Sequence, residues 1–251
     1  MSTNRPRLSI VIPAYNEAKR LPRTLQRVRE WTAAQEFPVE IVVVDDGSAD
    51  GTADVTRGAL AGVEHRVLVH AENRGKGAAL RTGMTAAAGE FVLFTDADLS
   101  TPIEEASRFL DEHARGTPVV IGTRKTGAAR VLVHQSPLRE RMGRVYTLLS
   151  NALVCPGVTD FTCGFKSFRR DACADIFGRL HENGWAYDSE VLFLARRLGH
   201  EVREVPVRWS NDPSTRVRLL RDAVGSFAGL LRIRGRALLG RYRAAGGAPR
   251  P

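Results

Sequence analysis

The chain is poor in cysteine: Cys155, Cys163 and Cys173 are the whole complement, separated by seven and nine residues. An odd count without any C-x-x-C argues against a disulfide framework or a thiolate zinc site and fits a reducing compartment. Long apolar runs are missing as well. Leu8-Ser9-Ile10-Val11-Ile12 is stopped by Pro13 and Asn16-Glu17, too short for a signal peptide or a spanning helix, and no later segment offers about 18 uninterrupted apolar residues. The expectation is a cytoplasmic protein, soluble or peripheral on the cytoplasmic face of a membrane. Aromatic residues are only 7% of the total, which argues against the stacking surface of a nucleic-acid binder. Neither a G-x-x-x-x-G-K-[ST] loop nor a G-x-G-x-x-G turn is formed around Gly47 or Gly75, so ATPase and dehydrogenase readings weaken.

Acids are outnumbered, 28 against 37 basic side chains, for a formal charge of +9. Such an excess points to an anionic partner: nucleic acid, membrane lipid or a phosphorylated substrate. With 251 residues, 43% of them apolar, the chain can bury a full core as one large domain, or as a domain with a C-terminal appendage.

The first half alternates short apolar runs with amphipathic ones. Leu8–Ile12, Val39–Val44, Val67–Val69 and Glu90–Thr95 are predicted strands, and helical spacing follows each, as in Leu21, Leu25, Val28 and Trp31. This order predicts an α/β fold, a mainly parallel Rossmann-like sheet with helices on both faces, whose ligands bind beyond the carboxyl ends of the strands. Those ends carry Pro13-Ala14-Tyr15-Asn16-Glu17, Asp45-Asp46-Gly47-Ser48, Asn73-Arg74-Gly75-Lys76-Gly77 and Asp96-Ala97-Asp98. Residues two apart on a strand share a face with Cα atoms roughly 6.5–7 Å apart, so Asp96 and Asp98 aim at one point. Two like charges there are tolerable if a divalent cation sits between them or one is protonated. Asp is also a common turn and helix-start residue, and Ser100-Thr101-Pro102 with Glu104-Glu105 is a good helix start. Convergence of four polar loops on one rim favours a pocket for a nucleotide diphosphate and its metal. Tyr15 is suited to stack on a base, and Glu17 or Asp46 to accept from it.

Further along, Pro118–Gly122 is a predicted strand ending in Thr123-Arg124-Lys125, and Ser136–Val154 a helix with Met142, Val145, Leu149 and Leu153 on one side. Gly164–Phe168 and Val202–Trp209 are strands; Tyr187–Leu198 is a helix with Asp188 and Glu190 in its first turn. From Arg216 to Arg243 eight arginines and one acid, Asp222, interleave with leucines and other apolar residues. That composition suits a basic amphipathic helix on an anionic membrane, and equally a packed surface helix or a contact between copies in a homo-oligomer. Residues 244–251 are expected to be disordered.

S-I-V-I-P-A-Y-N-E, V-V-V-D-D-G-S-x-D-G-T, N-R-G-K-G-A-A-L-R-x-G and F-x-D-A-D-L-S-T-P, in this order and spacing, resemble glycosyltransferase family 2 with the GT-A fold. D-F-T-C-G-F-K-S-F and W-A-Y-D-S-E-V-L are similar to its dolichyl-phosphate β-glucosyltransferase and polyprenyl-phosphate glycosyltransferase branch, and the likeness spans roughly residues 8 to 216. The resemblance implies a GT-A catalytic domain over 1–215, with a nucleotide-sugar half at about 8–125 and an acceptor half at about 126–215. It implies inverting transfer from a nucleotide-diphosphate sugar, with Mg²⁺ or Mn²⁺ at Asp96 and Asp98. Pro13, Tyr15, Glu17, Asp45, Asp46, Lys76 and Asp96 would bind the donor, and Asp160, Asp188 and Glu190 are the catalytic candidates. Arg124, Lys125, Lys166 and Arg216 are candidates for the phosphate of a polyprenyl phosphate acceptor, because cations position an acceptor that is already ionised. UDP-glucose is the donor implied. The alternatives are GDP-mannose as donor, or a soluble enzyme that glycosylates a hydroxyl on a small molecule or polymer. The chain departs from the eukaryotic glucosyltransferases in showing no N-terminal anchor, and its last 35 residues match nothing in the pattern.

Overall fold

A computed structural model describes residues 5–133, 136–211 and 219–242. In the first half β1 (Leu8–Ala14), α1 (Leu21–Ala33), β2 (Val39–Asp45), α2 (Thr52–Ala59), β3 (His65–Val69), α3 (Lys76–Ala86) and β4 (Phe91–Thr95) alternate as the sequence predicts. A short 3₁₀ turn, Ile103–Glu105, leads into α4 (Ala106–Ala114) and β5 (Val119–Thr123). There follow β6 (Arg130–Val133), α5 (Pro137–Leu153), β7 (Phe165–Arg169), α6 (Arg170–Phe177) and α7 (Tyr187–Arg197). The described chain closes with β8 (Val202–Pro206), β9 (Arg208–Ser210) and α8 (Leu219–Leu238).

Seven strands form one sheet in the order β3-β2-β1-β4-β7-β5-β8. β1 lies parallel to β2 and β4, and β5 parallel to β8, whereas β7 runs antiparallel between β4 and β5. β1, β2, β4 and β5 are buried along their whole length, as strands covered on both faces must be. Their side chains alternate between two cores. Val11, Val42, Val44 and Phe94 pack against α3, α6 and α7, while Ile10, Ile12, Ile41 and Leu93 meet α1 and α4. Each such fully buried aliphatic or aromatic side chain contributes about 1.5–3 kcal/mol over an exposed one.

The predicted strand Val202–Trp209 divides at Val207. β8 stays in the main sheet, and β9 leaves it to pair in parallel with β6. Helix α8 is docked, with Leu230, Ile233 and Tyr242 in the same core as α3, α6 and α7. Arg216 and residues 244–251 lie outside the described residues. Among the described residues no helix is long and apolar enough to cross a membrane.

Candidate active site

The carboxyl ends of β1, β2 and β4 open into a cleft of about 1910 Å³. Pro13, Tyr15 and Glu17 line it from the β1 end, Asp46 from the β2 end, Gly75 and Lys76 from the start of α3, and Asp96 and Asp98 from the β4 end. Arg124, Lys125 and Asp188 form part of the opposite wall. The loops predicted to converge on one rim do so because parallel strands of one sheet deliver their following loops to the same edge.

Lys76 Nζ stands 2.5 Å from Asp96 Oδ1. Burial works against the Lys76 charge, but Asp96, Asp188 and Asp98 outweigh it and raise its pKa. The ammonium also lies 5.6 Å from the Trp185 ring centre and 5.7 Å from that of Tyr187, over both faces. The neighbouring glycines explain this placement. A Cβ on Gly75 would stand 2.5 Å from the Asn183 carbonyl oxygen, one on Gly77 2.1 Å from that of Glu182, and Gly75 has φ +97°. Only residues without a side chain let this loop lie against 182–184, where the Gly77 N–H donates to the Asn183 C=O at 2.7 Å.

Asp98 accepts from the Ser100 N–H at 2.9 Å, yet burial, and then the charge of Asp96, push its carboxyl pKa up. A carboxylate held in this way gains from a nearby cation. Among the described residues no cluster of three or more His, Cys, Asp and Glu surrounds one point. Two carboxylates on the rim of an open cleft nevertheless suit Mg²⁺ or Mn²⁺, hard ions commonly held by one or two carboxylates with substrate phosphates completing the shell.

Other candidates take different roles. Asp46, expected to meet the base, is fully engaged: Oδ1 is bound to His70 Nδ1 at 2.6 Å and accepts from the Arg74 N–H at 3.0 Å, and Oδ2 accepts from the Gly75 N–H at 2.8 Å. It shapes the glycine loop. Asp45 is buried and accepts from the Ser48 N–H at 3.0 Å, so it braces the turn behind the cleft. Asp160 is buried beneath Arg124, which grips it through Nε at 2.7 Å and Nη2 at 2.8 Å. Burial alone would raise this carboxyl, but Arg124 and Lys125 overcome it and hold it well below the carboxylate range. An acid so firmly ionised and paired is a poor proton acceptor; it fixes the guanidinium, which also lies 5.1 Å from the Trp209 ring centre.

Two expectations are corrected. Lys166 is wholly buried, and its ammonium gives its three protons to Asp188 Oδ1 at 2.5 Å, the Cys163 C=O at 2.6 Å and the Phe161 C=O at 3.0 Å. Nothing remains for an acceptor phosphate, so Lys166 serves Asp188, whose pKa burial raises against the pull of Lys166 and Lys76. Glu190 does not face the cleft. Its Oε2 accepts from the His181 and Glu182 N–H groups at 2.9 and 2.6 Å, and Oε1 from the Tyr242 hydroxyl.

Residues that the sequence pattern did not single out complete the wall: Arg139 and Arg144 on α5, Trp185, and Trp209 on β9. The arginines carry a readable signal, the basic run R-E-R-M-G-R in the first half of α5. Trp185 has none beyond its place in W-A-Y-D-S-E.

A cleft at the carboxyl edge of a mainly parallel sheet, with an Asp-x-Asp pair beside a glycine-lysine loop, is the architecture of a GT-A glycosyltransferase. The chain belongs to glycosyl transferase family 2, whose profile matches residues 9–177. It is 34% identical over 223 residues to a dolichyl-phosphate beta-glucosyltransferase of Trichomonas vaginalis, covering 84% of this chain and 68% of that protein. Among solved structures it is similar to glucosyl-3-phosphoglycerate synthase from Mycobacterium tuberculosis in complex with Mn²⁺, UDP and glucosyl-3-phosphoglycerate, at a TM-score of 0.67 and 21% identity over 92% of this chain and 80% of that one. It also resembles the mannosyltransferase PcManGT from Pyrobaculum calidifontis in complex with GDP-Man and Mn²⁺, at a TM-score of 0.63 and 23% identity, covering 98% of this chain and 67% of that one. These two likenesses bear on the fold.

Proposed function

We propose that the enzyme transfers glucose, with inversion, from UDP-glucose to the phosphate of a polyprenyl phosphate of the dolichyl type at an anionic membrane surface. One observation carries this reading: the cationic wall of the cleft runs into exposed apolar residues. Arg124, Arg139 and Arg144 stand on the wall, and the same cleft is lined by Val145 of α5 and by Val224 and Phe227 of α8, all exposed. Leu148 and Leu231 extend the apolar surface on these two helices. Cations for a phosphate beside an apolar path are what a lipid-linked phosphate requires. The name of the Trichomonas relative supports the sugar and the acceptor.

The donor lies along the β1, β2 and β4 rim, with Tyr15 against the base and Lys76 beside the diphosphate. Asp96 and Asp98 would hold a divalent ion, which would offset the negative charge of the departing diphosphate. The acceptor phosphate is ionised at neutral pH, so attack needs orientation more than a general base. Its oxygen forms a bond to the anomeric carbon from the face opposite the diphosphate, and the bond to the diphosphate oxygen breaks with its electron pair. Arg124, Arg139 and Lys125 orient the attacking phosphate.

The test is to incubate the purified protein with nucleotide sugars, Mg²⁺ or Mn²⁺, and either a short polyprenyl phosphate or hydroxyl acceptors, and to identify products by mass. Glucosyl polyprenyl phosphate formed from UDP-glucose is the expected product. Transfer to hydroxyl acceptors alone would overturn the lipid assignment, and turnover of GDP-mannose alone would overturn the donor.

A further inference from the structure

Glu182 lies outside the cleft in the segment between α6 and α7, almost wholly buried at 3% exposure. Its carboxylate is held by two arginines of α8. Oε1 accepts from Arg232 Nε at 3.0 Å and Arg236 Nη1 at 2.5 Å, and Oε2 from Arg232 Nη2 at 2.7 Å. The helix comes this near because residue 229 is glycine: a Cβ there would stand 2.2 Å from Ala186 Cβ and 3.3 Å from Glu182 Oε2. Glu190 fastens the same segment from beneath through the His181 and Glu182 N–H groups, and joins it to Tyr242 beyond the end of α8.

The other side of this segment is the support of the glycine-lysine loop. The Glu182 and Asn183 carbonyls are the atoms against which Gly75 and Gly77 pack, and Trp185, two residues on, offers its ring to Lys76. We infer that Glu182 is a positioning residue: clamped by Arg232 and Arg236, it fixes the 182–185 segment, which in turn, through the packing of Gly75 and Gly77 and the Trp185 ring, fixes Lys76 at the donor end of the cleft. Helix α8 is thus part of the donor site although its arginines stand behind it. The inference rests on the reading of the cleft as a nucleotide-sugar site.

The decisive measurement is the affinity of the intact protein for UDP in the presence of Mn²⁺, by calorimetry, with a thermal melt for each variant. Glu182→Gln is expected to weaken UDP binding about tenfold, within the range for coupled members of one network. In a Lys76→Met background the same change should have little further effect, because its route through Lys76 is gone. A purely structural role would lower the melting temperature and the bound fraction in both backgrounds alike. If Glu182→Gln does not fold, Arg232→Ala, at a half-exposed side chain, carries the same expectation at smaller size, and Arg232→Lys should restore part of the affinity. Unchanged UDP affinity in a folded variant, or a full loss that persists in the Lys76→Met background, would overturn the positioning role. Wild-type protein that binds neither UDP nor GDP would overturn the nucleotide-sugar reading and this inference with it.

Discussion

Gly164, just before β7, and Asp96, just after β4, are in contact: a Cβ on residue 164 would stand 2.0 Å from Asp96 Oδ2 and 2.5 Å from its Cγ. The Asp96 carboxylate therefore occupies the space of the missing side chain, with Lys76 on its other oxygen. Gly164→Ala should displace the carboxylate. A misplacement of about 1 Å at a reacting centre can cost about 100-fold, so kcat/KM should fall by roughly that factor. The fold should survive, because it is the end of a side chain on the cleft rim that must shift. Steady-state kinetics and a circular-dichroism melt check both parts; an alanine variant with full activity would show that the Asp96 position is not needed.

Asp98 combines burial with a like charge, and both raise its pKa. Removing the charge in Asp98→Asn should leave the melting temperature unchanged or slightly higher while abolishing the Mn²⁺-dependent part of UDP binding. Calorimetry with and without Mn²⁺ separates the two effects. Retained metal-dependent binding would mean that Asp98 holds no ion.

The carboxyl-edge cleft was legible in the sequence because β-branched runs such as Val42-Val43-Val44 and the helical stripe Leu21-Leu25-Val28-Trp31 fix element type strongly. The antiparallel direction of β7 was not, since a strand buried on both faces has the same apolar pattern in either direction. β6 was passed over: Arg130–Val133 is short and largely exposed, and it forms a strand only with β9 beside it. The site shows the same division. Asp96, Asp98 and Lys76 follow from strand ends, whereas Asp46, Asp160, Lys166 and Glu190 are charged residues engaged by Gly75, Arg124, Asp188 and Tyr242, which lie 22 to 52 positions away. Sequence spacing shows that such a residue is polar, not whether it faces a ligand or another side chain.

Lys166 and Asp188 make a buried pair at 2.5 Å. Lys166→Met keeps the bulk of the side chain but leaves Asp188 without its partner and two carbonyls without their donor. Breaking one side of such a pair costs about 3–5 kcal/mol, whereas a lysine that served only a substrate phosphate would cost little. Urea denaturation measures the difference. The double variant Lys166→Met/Asp188→Leu should recover part of the stability, since the uncompensated charge is removed. A loss below about 1 kcal/mol in the single variant would contradict the pairing.

His113 gives the fold a pH dependence of defined sign. Its ring stacks on Phe91 with centroids 4.5 Å apart, Nδ1 meets the Thr117 C=O at 2.7 Å and Nε2 the Ser167 hydroxyl at 2.8 Å. Burial lowers its pKa from 6.5 to about 4, with Arg169 adding to the effect against the Thr117 carbonyl. Above pH 6.5 the ring is neutral in both folded and unfolded chains and contributes no slope. As pH falls from about 6.5 to about 4, the unfolded chain binds a proton that the folded chain refuses, so stability declines through that window. At about 1.4 kcal/mol per pKa unit, the full loss is on the order of 3 kcal/mol. Urea unfolding at pH 7.5, 6 and 5 should therefore show falling stability. His113→Gln should start lower, having lost the ring stacking, but decline less steeply over the same interval, with the other histidines and the carboxylates common to both proteins. Parallel pH curves for the two proteins would show that His113 is not the group responsible.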